Sequence, residues 1–355
     1  MRQLGLVLGV ALGTLGMTAC AEEVSPEPVD TFDPTLLSSY ALFDGDPVEQ
    51  RPAEGVFAYT VNAPLFSDDA LKFRFMVLPE GQQITYRDDA MWEFPLGTIL
   101  VKTFAFPADY RTPGEDVRLI ETRLLIFTED GWVGRAFVWN EAQDDAVLEE
   151  SGAAVPVSFV DQEGDTQSIT YQVPAQFQCS ECHGGGGTMG PLGTHTRQLD
   201  RIGPPNGIEE NQVAYLLAED VLTGSIPASA ARASFPDPFD ENEPLDDRAR
   251  AYLDANCSHC HQAGGLGQGT ALHLNWEVDD PARLGVCAQP IIGGAGTGGR
   301  PFAIAPGAPD DSVLIYRMET EDSDVRMPRS GNQLVDETAL TLLRDWISAM
   351  PAGCQ

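Results

Sequence analysis

Residues 46–174 contain short runs of β-forming residues in which apolar and polar positions often alternate. Turn sequences such as Glu129-Asp130-Gly131 separate them. Alternation with a period of two is typical of strands that bury one face, and about eight such strands indicate an antiparallel sandwich or barrel. The runs cover 56–61, 71–77, 83–86, 98–106, 118–127, 132–139, 155–160 and 168–173.

After residue 175 the apolar positions are spaced three and four apart, as in amphipathic helices. This spacing predicts helices over 210–222, 248–256, 311–318 and 337–350. The stretch 236–246 is rich in proline and acids, which indicates a linker between segments 175–235 and 247–355. We therefore expect an all-β, sandwich-like or barrel-like N-terminal domain over 46–174, followed by one or more mainly α domains.

Residues 1–20 are apolar behind the positively charged Arg2, and an acidic, proline-containing stretch follows at once. This pattern is typical of a secretory signal rather than a membrane span. Met17-Thr18-Ala19-Cys20 resembles a bacterial lipobox, so Cys20 is the candidate lipidation site. Cleavage after Ala21 is the alternative and would leave a soluble protein. Residues 21–45 read as a tether.

Two five-residue motifs have the form C-x-x-C-H, the attachment signature of c-type haem. Two thiols form thioether bonds with the haem vinyl groups, and the adjacent histidine binds the iron. Two such motifs in one exported chain predict two covalently attached haem c groups. The motifs are CSECH at 179–183 and CSHCH at 257–261, so the candidates are Cys179, Cys182, Cys257 and Cys260 for attachment and His183 and His261 for iron.

Other chemistries for the cysteine pairs fit less well. A thioredoxin-like motif would need a surrounding βαβ pattern, and the two pairs lie far apart for a compact zinc site. Disulfides within each C-x-x-C pair would be strained. The two cysteines that remain after Cys20, Cys287 and Cys354, form a plausible disulfide in an oxidising compartment.

Haem c that transfers electrons usually has a sixth ligand. Met327, in Arg326-Met327-Pro328, is the candidate for the second haem, because a His/Met pair raises the reduction potential. Met189 and His195 are the candidates for the first haem, whose iron could also be five-coordinate.

Lys and Arg number 21 against 54 Asp and Glu, which gives a formal net charge of -33. Such a chain would repel nucleic-acid backbones and anionic membrane faces. We therefore expect no nucleic-acid partner, and membrane contact through the N-terminal lipid alone. The acidic surface favours redox partner proteins with basic docking surfaces.

The segment 247–355 resembles a class I cytochrome c domain, because a helix runs into CSHCH, a Met-Pro loop follows at 327–328 and an amphipathic helix closes it. Most of the chain is similar to a family of largely uncharacterised, lipobox-bearing diheme c-type cytochromes of bacteria. That resemblance rests on YALF at 40–43, APLFSD at 63–68, WEFP at 92–95, ETRLL at 121–125 and VWNE at 138–141.

The resemblance implies mainly α, cytochrome c-type haem domains after the β-rich domain, with a first haem module over 175–235. It also implies an exported electron carrier on the periplasmic side of the envelope. A redox enzyme that reduces a small oxidant such as peroxide at an open first haem is the alternative. A third reading is a lipoprotein whose β-rich domain binds a ligand, with the haems as sensors.

Overall fold

The computed structural model describes residues 32–184, 187–203, 210–270, 272–291, 294–329 and 331–354. Contacts group the chain from Pro34 to Gln355 into one compact unit. The predicted signal peptide, the lipidation site Cys20 and the alternative cleavage site after Ala21 lie outside the described residues. Within those residues, no helix combines the length and the apolar character that crossing a membrane requires.

Nine strands lie between residues 56 and 173. They are β1 (Val56–Ala58), β2 (Leu71–Val77), β3 (Ile84–Thr85), β4 (Ile99–Pro107), β5 (Val117–Thr128), β6 (Gly131–Trp139), β7 (Ala146–Leu148), β8 (Ala153–Val160) and β9 (Thr166–Val173). Six of them form an antiparallel sheet in the order β1-β2-β4-β5-β6-β7, whereas β8 and β9 form a separate hairpin. β3 pairs in parallel with the short β10 (Leu222–Thr223).

Both faces of the six-stranded sheet are covered. The N-terminal segment packs on one face, where Leu37 and Leu42 contact side chains such as Phe75 and Phe137. The other face carries two separate apolar clusters. At one end the β8–β9 hairpin packs on the sheet, and at the other end the chain between residues 199 and 222 does so.

The described residues after the sheet contain seven α-helices, which are separated by irregular chain. Their lengths run from four to thirteen residues. They are α1 (Cys179–His183), α2 (Thr196–Leu199), α3 (Gln212–Ala218), α4 (Leu245–Leu253), α5 (Pro281–Leu284), α6 (Val313–Glu319) and α7 (Glu337–Ala349).

The predicted fold class is wrong. The protein is mostly β, built around one open six-stranded sheet, and its C-terminal part is not a mainly α cytochrome domain. The amphipathic patterns do become helices, but those helices are short. Glycine-rich chain without regular α-helix fills much of the interval from 264 to 301, because glycine loses more entropy than other residues when a helix forms.

A separate core holds the C-terminal segment together. The apolar face of α7, including Leu343 and Ile347, packs against α4 through Ala249 and Leu253. The indole of Trp346 donates a hydrogen bond of 2.7 Å to Asp246 at the start of α4. Together α4 and α7 fix the position of the chain that leaves α4, which carries the second C-x-x-C-H motif.

Candidate haem-binding site

The first C-x-x-C-H motif forms α1, directly after the β8–β9 hairpin. One turn of helix places Cys179, Cys182 and His183 on the same side, since residues three and four apart are neighbours on a helix. Cys179 packs against Gly134 of β6, where an added Cβ would lie only 2.8 Å from the Cys179 sulfur. A glycine at this position therefore lets the motif approach the sheet.

The second motif continues the axis of α4. A π-helical turn over Asp254–Ser258 leads into it, and the backbone amide of His261 donates to the carbonyl of Cys257 at 2.9 Å. Asn256 anchors the turn to the β-rich part: its side chain accepts from the amide of Phe66 at 2.8 Å and donates to the carbonyl of Pro64 at 3.1 Å. The second motif is thus held against the strand-bearing half of the protein.

The two motifs, far apart in sequence, meet through their thiols. Cys182 donates a hydrogen bond to the sulfur of Cys260, which raises the pKa of Cys182 to about 12 and lowers the pKa of Cys260. Cys260 also lies 3.8 Å from the carbonyl oxygen of Glu181. All four motif cysteines are free thiols, whereas Cys287 and Cys354 form a disulfide with Cα atoms 5.3 Å apart.

Both motif histidines are oriented through Nδ1. The carbonyl of Gly190 can only accept, so His183 donates to it from Nδ1 at 2.8 Å. Thr270 lies 3.1 Å from Nδ1 of His261 and donates its own hydroxyl proton to the carbonyl of Gly267. Thr270 must therefore accept from His261. Each Nε2 consequently carries a lone pair, the arrangement that a metal-ligating histidine shows.

Burial keeps both imidazoles neutral. Desolvation lowers the pKa of His183 to about 4, although the hydrogen bond to Gly190 raises it. Desolvation likewise lowers the pKa of His261 to about 4, and the nearby His259 and Arg317 act in the same direction. A histidine must be neutral to bind iron through nitrogen, so at neutral pH both rings have the required protonation state.

Met327 lies in the same region as His261. Its backbone amide donates to the carbonyl of Arg317 at 2.7 Å, and the Arg317 guanidinium is one of the charges that lower the pKa of His261. A cis peptide bond joins Met327 to Pro328. The structure therefore brings together the second motif and the loop that carries its predicted sixth ligand.

The two candidates for the sixth ligand of the first haem have different surroundings. Met189 directly precedes Gly190, whose carbonyl accepts a hydrogen bond from Nδ1 of His183. Its methyl group contacts the same face of Gly134 as Cys179 does. His195 stacks edge-on against Phe235 at 5.5 Å, and the charges that act on it are Arg197 and Glu277. No described contact joins His195 to the first motif.

Comparison of the chain with family models, with curated proteins and with solved structures found no match. Among the described residues, no group of three or more His, Cys, Asp and Glu side chains is arranged to hold a metal ion.

The residues fit haem c in three respects: free thiols in two C-x-x-C pairs, neutral histidines with Nε2 lone pairs, and a histidine ring backed closely by glycine. The last feature is at Gly267, where an added Cβ would lie 2.8 Å from Nδ1 of His261. Haem c needs only one or two axial ligands from the protein, so its site has few ionisable groups around the iron.

Sequence reasoning missed the cations near the first motif. Lys102 and Arg123, on β4 and β5, are close enough to lower the pKa of His183. The chain has only two lysines, Lys72 and Lys102, and both stand inside predicted strands. Lysines inside predicted strands were therefore the one sign in the sequence of cations at this place. Which cations lie side by side depends on the strand register.

Proposed function

We propose that this protein is an exported diheme c-type cytochrome that transfers electrons. The observation that carries the proposal is the contact between Cys182 and Cys260. Cys182 and Cys260 would each hold one haem by a thioether bond, so their contact would make the two haems neighbours. Electrons could then pass between them inside one compact unit.

Haem c would supply the one-electron chemistry, because its iron changes oxidation state. The chain's own residues attach, orient and bury it. His183 and His261 would bind the two irons, and each ring is held by its Nδ1 hydrogen bond to Gly190 or Thr270. Met327 is the proposed sixth ligand of the second haem, which would raise the reduction potential of that haem relative to a bis-histidine site.

The electron partners are proposed to be proteins with basic docking surfaces. A net charge of -33 attracts such partners over a distance of about 8 to 10 Å at physiological salt and speeds their encounter. We also propose the periplasmic side of the cell envelope as the location. There the protein would be anchored by a lipid on Cys20, or soluble if the signal is cut after Ala21.

A redox enzyme is the second candidate function. The observation that favours it is the placement of His195, which packs against Phe235 and has no described contact with the first motif. A first haem without a sixth ligand from the protein could bind and reduce a small oxidant such as peroxide. The two functions differ in one property of the first haem, its sixth coordination position.

Absorption spectra of the purified full-length protein separate these alternatives. The oxidised and dithionite-reduced spectra are compared before and after addition of carbon monoxide, and pyridine haemochrome counts the haems. Two low-spin haems per chain that do not bind carbon monoxide support electron transfer. One high-spin haem that binds carbon monoxide or reacts with peroxide favours the enzyme. A protein with no covalent haem overturns both.

A further inference from the structure

Three cations stand side by side on neighbouring strands of the sheet. Arg74 of β2 is paired with Lys102 of β4, and Lys102 is paired in turn with Arg123 of β5. Residues paired in this way point to the same face of the sheet, and like charges directly opposite each other are destabilising. We call Arg74, Lys102 and Arg123 the cation row.

Most of this positive charge has no counter-charge. Glu121 forms an ion pair with Arg123, and the hydroxyl of Tyr171 also donates to Glu121 at 2.6 Å. The ammonium group of Lys102 makes no hydrogen bond or ion pair with any described residue, and Nζ lies 4.8 Å from the ring centroid of Phe104.

Arg74 is hardly better compensated. It donates one long hydrogen bond of 3.4 Å, to the carbonyl of Lys72, and its charged neighbour Arg201 is also a cation. Burial without a partner lowers the pKa of Lys102 well below its usual value, and the neighbouring cations act in the same direction. The cation row thus sets three basic side chains against the single carboxylate of Glu121.

This imbalance is not caused by a shortage of acids. The chain has 54 acidic residues and only 21 Lys and Arg. The nearby Lys72 has three carboxylates within electrostatic range, those of Asp68, Asp69 and Asp336. The protein has many acidic residues, yet two cations of the row have no carboxylate partner. The row is therefore suited to bind an anion from outside the chain.

The cation row lies between the two apolar clusters on its face of the sheet. On the same face, Met76 and Leu125 belong to one cluster and Phe104 to the other, and all three are buried. The three cations between them remain partly accessible. Apolar packing on both sides therefore leaves the row as the polar centre of this face.

The cation row also lies beside the first C-x-x-C-H motif. The charges of Lys102 and Arg123 act on His183, and the charge of Arg123 acts on Cys179. Cys179 itself packs on Gly134 of β6, the strand next to that of Arg123. A group held by Cys179 and Cys182 would therefore have the cation row within reach.

We propose that the cation row binds the two propionate carboxylates of the haem attached at Cys179 and Cys182. This inference rests on the proposed function. Two propionates carry a charge of -2, and their carboxylates would supply the partners that the side chains of Arg74 and Lys102 lack. Arginine pairs with carboxylates in a bidentate geometry and lysine binds them as a point charge. The cations would also raise the reduction potential of that haem, since reduction adds a negative charge beside them.

Lys102→Gln and Arg74→Gln test the inference in the haem-loaded, full-length protein. Each variant should keep two haems and an unchanged spin state, while the reduction equilibrium of one haem shifts at least tenfold toward the oxidised form. For one electron this is about 59 mV. Arg111→Gln is the matched control: it removes the same charge from an exposed pair with Asp109 and should leave both potentials unchanged.

A second measurement does not depend on redox behaviour. In a Cys179→Ser/Cys182→Ser protein, which cannot attach the first haem, Lys102→Gln should raise the melting temperature, because it removes an uncompensated cation. In the loaded protein the same change should lower it. A lysine with a purely structural role would shift the melting temperature in the same direction in both proteins. Shifts of opposite sign therefore support the inference.

Four outcomes overturn the inference. If both variants carry two haems with unchanged reduction potentials, the row does not bind the propionates, and the proposed function stands. A low-spin to high-spin change in Lys102→Gln would make Lys102 an iron ligand. Weakened binding of added inorganic phosphate or succinate, with unchanged potentials, would make the row a site for a free anion. A protein without covalent haem removes both the inference and the proposed function.

Discussion

The thiol of Cys182 donates a hydrogen bond to the sulfur of Cys260, and this contact joins the two C-x-x-C-H motifs into one site. The partners come from different parts of the chain: Cys182 follows the β8–β9 hairpin, and Cys260 follows α4. Asn256 supports the contact by binding Phe66 and Pro64 on the β-rich side. Haems attached here would be neighbours.

The contact predicts which disulfide forms when haem is withheld. In full-length protein exported by cells that lack haem attachment, Cys182 should pair with Cys260, in addition to the Cys287–Cys354 bond. The reason is that an oxidising compartment joins thiols already in contact. Peptide mapping by mass spectrometry under non-reducing conditions checks this, with Cys182→Ser as the control. Pairing of Cys179 with Cys182 would contradict the geometry.

Met327→Leu should lower the reduction potential of one haem and remove the absorption that arises from a sulfur–iron bond. Leucine keeps the apolar volume but cannot donate to iron, and methionine ligation is what raises the potential. Met318→Leu is the matched control, because Met318 is buried in the core between α4 and α7. If both variants behave alike, or if neither changes the spectrum, Met327 is not a ligand.

Gly134→Ala should reduce haem attachment at the first motif. The new methyl group would lie 2.8 Å from the Cys179 sulfur, so α1 must shift away from the sheet. Overpacking of this kind costs about 1–3 kcal/mol of stability. Gly114→Ala has open space around the added methyl group and should load normally. Haem content per chain is the measurement, and equal loading of the two variants would show that the close approach is unimportant.

Asp254 should make the protein less stable as pH rises from about 4 to about 6. Burial raises the pKa of its carboxyl to about 6, although the amide of Trp276 donates to it. Between the unfolded and folded pKa values, the folded state binds more protons than the unfolded state, so stability falls with rising pH, by about 2–3 kcal/mol in total.

Asp254→Asn isolates that contribution, since asparagine can still accept from the Trp276 amide but does not titrate. Urea unfolding between pH 4 and 7 should show the stability advantage of the variant growing with pH. Parallel profiles for the two proteins would mean that Asp254 titrates normally.

The sequence revealed the C-x-x-C-H motifs because each motif is local: the proposed attachment and ligand residues lie within five positions. Helix α7 could also be predicted, because its apolar residues recur at helical spacing. The contact between the motifs could not be predicted from the sequence, because it depends on where α4 ends and where the β8–β9 hairpin places α1. The mainly α class was wrong because patterns at the two ends of 247–355 say nothing about the glycine-rich chain between them.

The cation row was missed for a different physical reason. In a strand pattern, Arg74, Lys102 and Arg123 read as solvent-facing positions. Only the register of three strands shows them to be neighbours on one face, and only the packing on either side shows that this face is covered.

Intact mass under denaturing conditions tests the central claim most directly. We predict that the wild-type protein carries the mass of two haems, and that Cys179→Ser/Cys182→Ser and Cys257→Ser/Cys260→Ser carry one each. Only covalent attachment survives denaturation, so the counts identify both sites. A wild-type mass without haem, with Cys182 and Cys260 joined in a disulfide in the exported protein, would contradict the account.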